Sequence, residues 1–384
     1  MRRDLARSLS GDRLTAVYQL DCPAGEAEAR ARAICVEQTV EFPEALIADE
    51  AIREQIIGRV AALRALGQDR FEAAIEYPVE AAGRELTQLV NVLFGNIALQ
   101  PGVRLTGFTL PESLARQYPG PRFGVPGLRR LLDVAARPLL CTALKPMGLA
   151  PAALADLAYR LALGGIDLIK DDHGLADQSF CPFDERVQGC AEAVRLANRK
   201  TGRACLYLPN VTAPAPEVAA RAHAAKQAGA GGLLVCPGLV GLDAMRALAE
   251  DDALALPILS HPAFLGGLCL RPDAGLSHGV LYGQLARLAG ADGSIFPHAG
   301  GRFAFSEAEC RDLVAGLRRE MGSIRSIWPV PAGGLRLERV AELRAFYGAD
   351  CILLIGGDLH AQGADLVASC RRFVELASAA GQVT

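Results

Sequence analysis

Short apolar runs recur along the chain from about residue 137 onward, and Ala-rich stretches of helical character separate them. Helices are predicted at 151–163, 191–200, 216–228 and 337–346. The apolar runs lie at 138–144, 166–170, 204–208, 231–236, 256–260, 293–296, 326–330 and 351–355. Eight strand-then-helix units over roughly 240 residues are typical of a (β/α)8 TIM barrel. A doubly wound open sheet is the alternative, but it seldom needs eight units and usually carries GxGxxG after its first strand, which is absent here.

The first part of the chain has a different pattern. Residues 31–42 and 71–78 are predicted strands, 47–66 an amphipathic helix, and 86–99 a further mixed apolar segment. Because strands and helices do not alternate regularly here, an α+β unit is predicted. Residues 111–127 (PESLARQYPGPRFGVPG) are rich in Pro and Gly and break regular structure. We therefore expect two domains, 1–125 and 126–384.

Composition excludes several classes of protein. With 51% hydrophobic and 22% charged residues, the 384-residue chain is not a disordered polymer. Its 40 basic and 43 acidic residues form no basic stripe for nucleic acid. No run approaches the roughly 18 apolar residues of a membrane helix, and no signal peptide is recognised. The 11 cysteines include no CxxC pair, so buried, reduced thiols in a cytoplasmic protein are expected.

Polar side chains follow most of the predicted barrel strands, whose carboxyl ends form the active site of this fold. Lys145 follows the first strand, and His261 and His298 follow the fifth and sixth. After the second strand, Lys170 and Asp172 are expected to point the same way, because residues alternate faces on an extended strand. Such a carboxylate with polar neighbours suits Mg2+, although a structural Lys–Asp salt bridge is the alternative.

Two glycine pairs follow the seventh and eighth predicted strands, Gly333-Gly334 and Gly356-Gly357. Many barrels bind phosphate at these two strand ends, and glycine lets backbone N–H groups approach the anion closely. Ordinary turn glycines are the alternative for either pair alone. Two pairs at these two positions together predict a phosphate cradle.

The segment GGIDLIKDDHG, residues 164–174, closely resembles the metal-binding segment of the RuBisCO superfamily, a GG-x-D-x-x-K-D-D-E pattern. Other segments resemble that family in the same order along essentially the whole chain: YPGPRFGVPGLRRLL, RPLLCTALKPMGL, LYLPNVTAP, SHPAF, PVPAGGL and LLIGGD. The resemblance implies an α/β protein with a C-terminal (β/α)8 TIM barrel and an N-terminal α+β (ferredoxin-like) domain.

The resemblance also implies roles for individual residues. Lys145 matches the Lys that acts near the enolising carbon, Lys170 the carbamylated Lys, and Asp172 a Mg2+ ligand, while His173 stands where the family has Glu as a further ligand. Glu37, in CVEQTVEFP, matches an acidic residue that reaches over from a partner subunit. The resemblance thus implies Mg2+, a phosphorylated sugar substrate, and a homodimer or a higher oligomer of dimers.

Departures from the family's motifs argue against carbon fixation. Met147 replaces a second Lys of the carboxylase, Pro262 and Leu265 replace an Arg and a His of its phosphate motif, and Ala332 replaces a Ser. The sixth loop, HAGGRF, lacks the Lys that orients CO2, so attack on CO2 would lose its electrostatic stabilisation. The chain is identified as a member of the non-carboxylating, RuBisCO-like branch.

A metal, a Lys base and a phosphate cradle suffice to abstract a proton beside a carbonyl group. We expect isomerase-type enolisation of a phosphorylated ketose resembling 5-methylthioribulose 1-phosphate, with His298 as a second catalytic group and His261 at the phosphate. A hydrolase, transcarboxylase or decarboxylase of a 3-oxo-isoapionate 4-phosphate-like sugar acid is an alternative. A non-catalytic regulatory barrel is another, although it would need neither the lysines nor the glycine pairs.

Overall fold

The N-terminal unit is an antiparallel sheet with helices packed against it, in a computed structural model that describes residues 9–379. Four strands pair in the order β4-β1-β3-β2, all antiparallel, which is the ferredoxin-like arrangement expected for this part. The elements are β1 (Arg13–Asp21), α1 (Ala27–Glu37), β2 (Arg59–Gly67), β3 (Arg70–Pro78), α2 (Val79–Ala82), α3 (Leu86–Phe94) and β4 (Val103–Thr109).

Two sequence predictions in this unit were wrong. Residues 31–42 were expected as a strand, but α1 covers most of them; its buried residues Ala27, Ala31, Ile34 and Cys35 follow a helical period that the β-branched residues obscured. Residues 47–66 were expected as a helix, but they contain a π-helical turn (Ile52–Ile56) and most of β2. Because β2 is an edge strand and largely exposed, it lacks the alternation that marks a half-buried strand.

The second unit is the expected barrel of eight parallel strands, and each predicted apolar run overlaps one of them, although β6, β11 and β12 extend one or two residues beyond the predicted ends. Hydrogen-bonded ladders join β13-β5-β6-β7 and β8-β9-β11-β12; a bridge from Asn210 to Leu234 and the packing of β12 beside β13 close the ring. The strands are β5 (Leu139–Leu144), β6 (Leu168–Asp171), β7 (Leu206–Leu208), β8 (Leu233–Val235), β9 (Ile258–Ser260), β11 (Gly293–Pro297), β12 (Trp328–Ala332) and β13 (Ile352–Leu354), with β10 (Gly275–Leu276) outside the ring.

Helices surround the barrel, and all four helical stretches predicted there are present. At the N-terminus of α12, the Ser306 hydroxyl accepts a hydrogen bond from the Glu309 backbone N–H. The Glu309 carboxylate accepts one from the Ser306 backbone N–H, which completes a capping box. The helices are α4 (Glu112–Ala115), α5 (Gly124–Leu132), α6 (Pro151–Leu163), α7 (Phe183–Thr201), α8 (Val218–Gln227), α9 (Pro237–Val240), α10 (Leu242–Glu250), α11 (Leu285–Leu288), α12 (Glu307–Arg318), α13 (Val340–Tyr347), α14 (Gly357–Ala361) and α15 (Leu366–Ser378), with a π-helical turn at Gly279–Gln284.

Helix α5 covers the amino end of the barrel. Its Leu128 and Leu132 pack with the interior side chains of the strands, and the Arg129 guanidinium lies 4.8 Å from the ring centre of Trp328. The boundary expected between residues 125 and 126 therefore falls inside α5, and we propose that the barrel domain begins at Gly124.

The two units share one sheet and one buried carboxylate. Strand β10, from the barrel half of the chain, pairs in parallel with β4 and extends the N-terminal sheet. At the junction, Asp292 accepts hydrogen bonds from the backbone N–H groups of Phe123, Gly124 and Ile258. These contacts fix the connecting segment to the start of β11.

The eleven cysteines lie within the described residues, and each is a buried, free thiol, as expected. Among residues 9–379, no helix combines the length and the apolar character needed to cross a membrane.

Candidate active site

Lys145 and Asp172 meet at the carboxyl ends of neighbouring strands. In the β5–β6 ladder Leu144 pairs with Asp171, so the residues that follow each of them are also adjacent. The Lys145 Nζ lies 2.7 Å from Asp172 Oδ1. Burial raises the pKa of the Asp172 carboxyl, but hydrogen bonds from His173 and Lys145, together with the charge of Lys145, hold that pKa well below its usual range. Asp172 is therefore an anion at the mouth of the barrel.

Alternation along β6 separates its two aspartates. Leu168 packs in the barrel interior, so Lys170 and Asp172 lie on the inward side and Asp171 on the outward side. Asp171 is fully buried there: it accepts hydrogen bonds from Arg186 (3.1 Å), Tyr207 (2.7 Å) and the backbone N–H of Asn210 (3.0 Å). This second carboxylate has a structural role.

Lys170 is buried, with its Nζ donating to the Asp171 carbonyl oxygen at 3.0 Å. Burial lowers the pKa of its ammonium group, an effect that the nearby Asp172 partly opposes. The neutral amine form of Lys170 is therefore more favourable at this buried position than it would be in water.

Two histidines form one wall of the site. The rings of His173 and His261 stack with centroids 4.3 Å apart and 13° between their planes, and His173 Nδ1 lies 3.3 Å from Asp172 Oδ1. Burial lowers the pKa of His261 far below its usual range. Because the Ala263 N–H donates to His261 Nδ1, the neutral ring carries its proton on Nε2.

The glycine pairs lie beside this cluster in the fold, at the ends of β12 and β13. Gly333 and Gly334 have φ of 91° and 96°, which favour glycine. Within residues 9–379, neither of their N–H groups donates a hydrogen bond, and the same holds for Gly356 and Gly357. A Cβ on Gly334 would lie 2.9 Å from the Arg302 side chain. The pairs thus present free backbone donors, and one has a guanidinium-bearing side chain against it.

His298 is the predicted catalytic residue that the structure does not bring into this cluster. It follows β11 on the outward side, where its Nδ1 lies 2.6 Å from the Tyr347 hydroxyl and its ring packs on Phe346. Ile295 points inward, so the residue three positions later points outward. Its described side-chain contacts are with α13 and with Arg339 just before that helix, and not with Lys145 or Asp172.

Glu37 also lies apart, at the end of α1 in the N-terminal unit, where Asn96 Nδ2 donates to its Oε1 at 3.0 Å. The sequence analysis missed Asn96 and the position of Arg302. Nothing in the local pattern around Asn96 marks it, whereas Arg302 could have been noticed as the cation of the sixth loop.

Comparison with known proteins identifies the family. Residues 124–381 match the family described as the ribulose bisphosphate carboxylase large chain, catalytic domain. The structure superposes with a TM-score of 0.87 on a Rubisco-like protein from Rhodopseudomonas palustris, which is 40% identical over 97% of this chain and 99% of that one. The chain belongs to the RuBisCO family, in its RuBisCO-like branch.

Two relatives of this RuBisCO-like chain have named activities. A 5-methylthioribulose-1-phosphate isomerase from Rhodospirillum rubrum is 41% identical over 91% of both chains. A 2,3-diketo-5-methylthiopentyl-1-phosphate enolase from Bacillus licheniformis is 33% identical, covering 90% of this chain and 87% of the relative. Both names describe chemistry of phosphorylated carbon chains without carboxylation.

The positions where the RuBisCO-like chain departs from the carboxylase motifs surround the site with apolar groups. Met147 is half exposed beside Gly174, on which a Cβ would lie 2.4 Å from the Met147 methyl group. Leu265 is buried after β9, and Ala332 ends β12. None of these side chains could donate a hydrogen bond to CO2 or to a second phosphate.

Proposed function

We propose that this RuBisCO-like protein enolises a phosphorylated ketose in an isomerase-type reaction, acting on 5-methylthioribulose 1-phosphate or a closely similar compound. The observation that carries the proposal is the 2.7 Å contact between Lys145 Nζ and Asp172 Oδ1 at the barrel mouth, with Lys170 inward of it. The named activity of the Rhodospirillum rubrum relative supports the choice of substrate.

Lys145 is the group placed to move the proton. Its side chain is 42% exposed while that of Asp172 is only 11% exposed, so the amine lies between a buried anion and the entrance. A neutral Lys145 amine accepts a proton from the carbon beside the carbonyl group, and Asp172 stabilises the ammonium ion that forms. The same ammonium returns the proton to the neighbouring carbon, which completes an isomerisation.

The donor set at β6 fits a magnesium ion once Lys170 is carbamylated. The described residues hold no cluster of three His, Cys, Asp or Glu side chains arranged for a metal, so Asp172 and His173 need a third donor. A lowered lysine pKa favours the neutral amine, which is the form that reacts with CO2. Bound Mg2+ would supply Lewis-acid stabilisation of the enolate oxygen; the chain's own residues hold and orient the substrate.

The free N–H groups of the two glycine pairs would hold the phosphate, and Arg302, whose side chain packs against Gly334, would supply a cation beside it. Neutral His261 would donate its Nε2 proton to a substrate oxygen. His298 is turned toward Tyr347, so it would affect the site only indirectly, through the loop that carries Gly301. That loop lies close to the glycine pair after β12, because a Cβ on Gly301 would be 2.5 Å from the Gly333 carbonyl oxygen.

We further propose that a second copy of the chain completes the site with Glu37. Exposed apolar side chains follow the barrel strands, including Met147, Phe264 and Phe303. In the N-terminal unit, Leu99 is 87% exposed three residues after Asn96, the partner of Glu37. Burying the two apolar surfaces against each other would place Glu37 over the partner's strand ends.

Proton exchange tests the reaction. Candidate phosphoketoses are incubated with protein and Mg2+ in heavy water, and deuterium at the carbon beside the carbonyl group is followed by NMR. Exchange with conversion to an isomer supports the proposal, whereas release of CO2 or cleavage would assign the sugar-acid chemistry instead. Absence of exchange with every phosphoketose would exclude enolisation.

A further inference from the structure

A cavity of about 830 Å3 opens at the amino end of the barrel, on the opposite side from the strand ends that carry Lys145 and Asp172. The segments that lead into β5, β6 and β7 line it, together with α13 and the end of α15. Its volume lies in the range of small-molecule binding sites. None of the proposed active-site residues contributes to its walls.

Three arginines line this cavity, against two aspartates. Arg137 and Asp167 neutralise each other through two hydrogen bonds of 2.6 and 2.7 Å. Arg344 is half-buried and donates to the Ala379 carbonyl oxygen. The exposed Arg203 guanidinium makes no hydrogen bond or ion pair with any residue between 9 and 379. The cavity therefore has an excess of positive charge in a chain whose net charge is −3.

The geometry at Arg203 holds its guanidinium at the cavity wall. A Cβ on Gly165 would lie 3.2 Å from Arg203 Nη1, so the guanidinium packs on the bare glycine backbone before β6. Gly165 has φ of 94°, which favours the absence of a side chain there. A planar guanidinium with free donors binds phosphate oxygens through paired hydrogen bonds.

We infer that this cavity is a second anion site, which binds a phosphate monoester through Arg203 and Arg344. The organic part of the ligand would occupy the volume that a phosphate group alone leaves unfilled. Asp167, at the cavity wall, also accepts from the Leu140 N–H. It precedes β6, the strand that ends at Asp171, so a ligand here contacts the base of the strand that carries Lys170.

Isothermal titration with glycerol 3-phosphate and, separately, with inorganic phosphate tests the site. Arg203→Ala is the informative variant because this side chain has no described partner whose loss would disturb the fold. Arg116→Ala removes an exposed arginine that directly follows α4 and pairs with Glu112, and it serves as the control. Thermal melting of each variant verifies that it is folded.

We expect Arg203→Ala to lose one equivalent of bound monoester, or to bind it about tenfold more weakly, while Arg116→Ala binds like the unmodified protein. Weaker binding of inorganic phosphate than of the monoester assigns an organic ligand; equal binding assigns the free phosphate ion. Unchanged stoichiometry and affinity in Arg203→Ala would overturn the inference. The comparison holds whether or not the glycine pairs bind phosphate, because that equivalent is present in both proteins.

Discussion

Lys145 and Asp172 directly follow neighbouring strands, and their side chains meet at 2.7 Å because β5 and β6 are paired in parallel register. The pair combines a half-exposed amine with a buried carboxylate. In the reaction proposed above, the neutral amine would take the proton from the ketose, and the buried carboxylate would stabilise the ammonium ion that forms.

Lys145→Met is expected to lower the rate of proton exchange by roughly 100- to 10,000-fold, because it removes the base and leaves the barrel intact. The measurement is deuterium incorporation into the substrate, followed by NMR. Lys200→Met, which alters an exposed lysine at the end of α7, should exchange protons at the normal rate. Normal exchange in Lys145→Met would assign the proton transfer to another residue.

Removal of divalent metal by a chelator should abolish activity, and Mg2+ with bicarbonate should restore it. Lys170→Ala is expected to remain inactive under the same treatment, because it lacks the amine that would form the carbamate. Activity against Mg2+ concentration gives the result directly, and intact-protein mass spectrometry reports addition of CO2. If Lys170→Ala keeps full metal-dependent activity, the assignment of this ligand is wrong.

Glu37→Gln and Lys145→Met proteins should each be inactive alone, and mixing them should restore activity if Glu37 serves the partner's site. If subunits exchange at random between dimers, about a quarter of all sites would combine an intact Lys145 with an intact Glu37 from the partner. The assay is activity after the mixture is unfolded and refolded together. Recovery would not occur if each chain used its own Glu37.

Tyr207→Phe is expected to lower the free energy of unfolding by about 2 kcal/mol, because the Tyr207 hydroxyl donates to the buried Asp171 carboxylate. Urea denaturation measures the change. Tyr159→Phe removes a hydroxyl that makes no hydrogen bond within the described part of the chain, and it should leave the stability nearly unchanged. Equal effects of the two variants would contradict the proposed role of the Asp171 network.

Asp292 should make stability depend on pH between about 4 and 7. Burial raises its pKa from 3.8 to about 6, against the opposing effect of its backbone hydrogen bonds. Because the pKa is higher in the folded state than in the unfolded state, protonation of Asp292 stabilises the fold. This contribution is fully present at pH values below the unfolded-state pKa, and it is lost as the pH rises through the folded-state pKa. Relative to Asp292→Asn, the unmodified protein should therefore lose up to about 3 kcal/mol over this interval.

Urea denaturation at several pH values measures this difference. Asp184→Asn, at the exposed first turn of α7, should follow the pH dependence of the unmodified protein. Parallel curves for Asp292→Asn and the unmodified protein would show that the buried carboxyl titrates normally.

The barrel and most of the cluster at its mouth could be predicted because buried parallel strands leave continuous apolar runs, and the residue after each run is placed by the fold. Lys145, Asp172 and His261 were found in this way. His298 was not placed correctly, because a shift of one residue in where a strand ends turns a side chain from the barrel mouth to the helix layer.

The N-terminal unit was harder to predict for a different reason. Its edge strand β2 is mostly exposed, and two of the four buried residues of α1 are alanines, so neither element has a strong hydrophobic period. Asn96 was missed since its relevance comes from contact with Glu37, 59 residues away in sequence, which local patterns do not contain.

Strand β10 covers the β4 edge of the N-terminal sheet with only two residues, and they come from the far side of the domain boundary. Expressed without the barrel, the N-terminal unit would therefore have two open edges instead of one. Open edges pair with other chains, so we expect the separate fragment to self-associate. Dividing the protein at its domain boundary would therefore expose a strand edge of β4 that β10 covers in the intact chain.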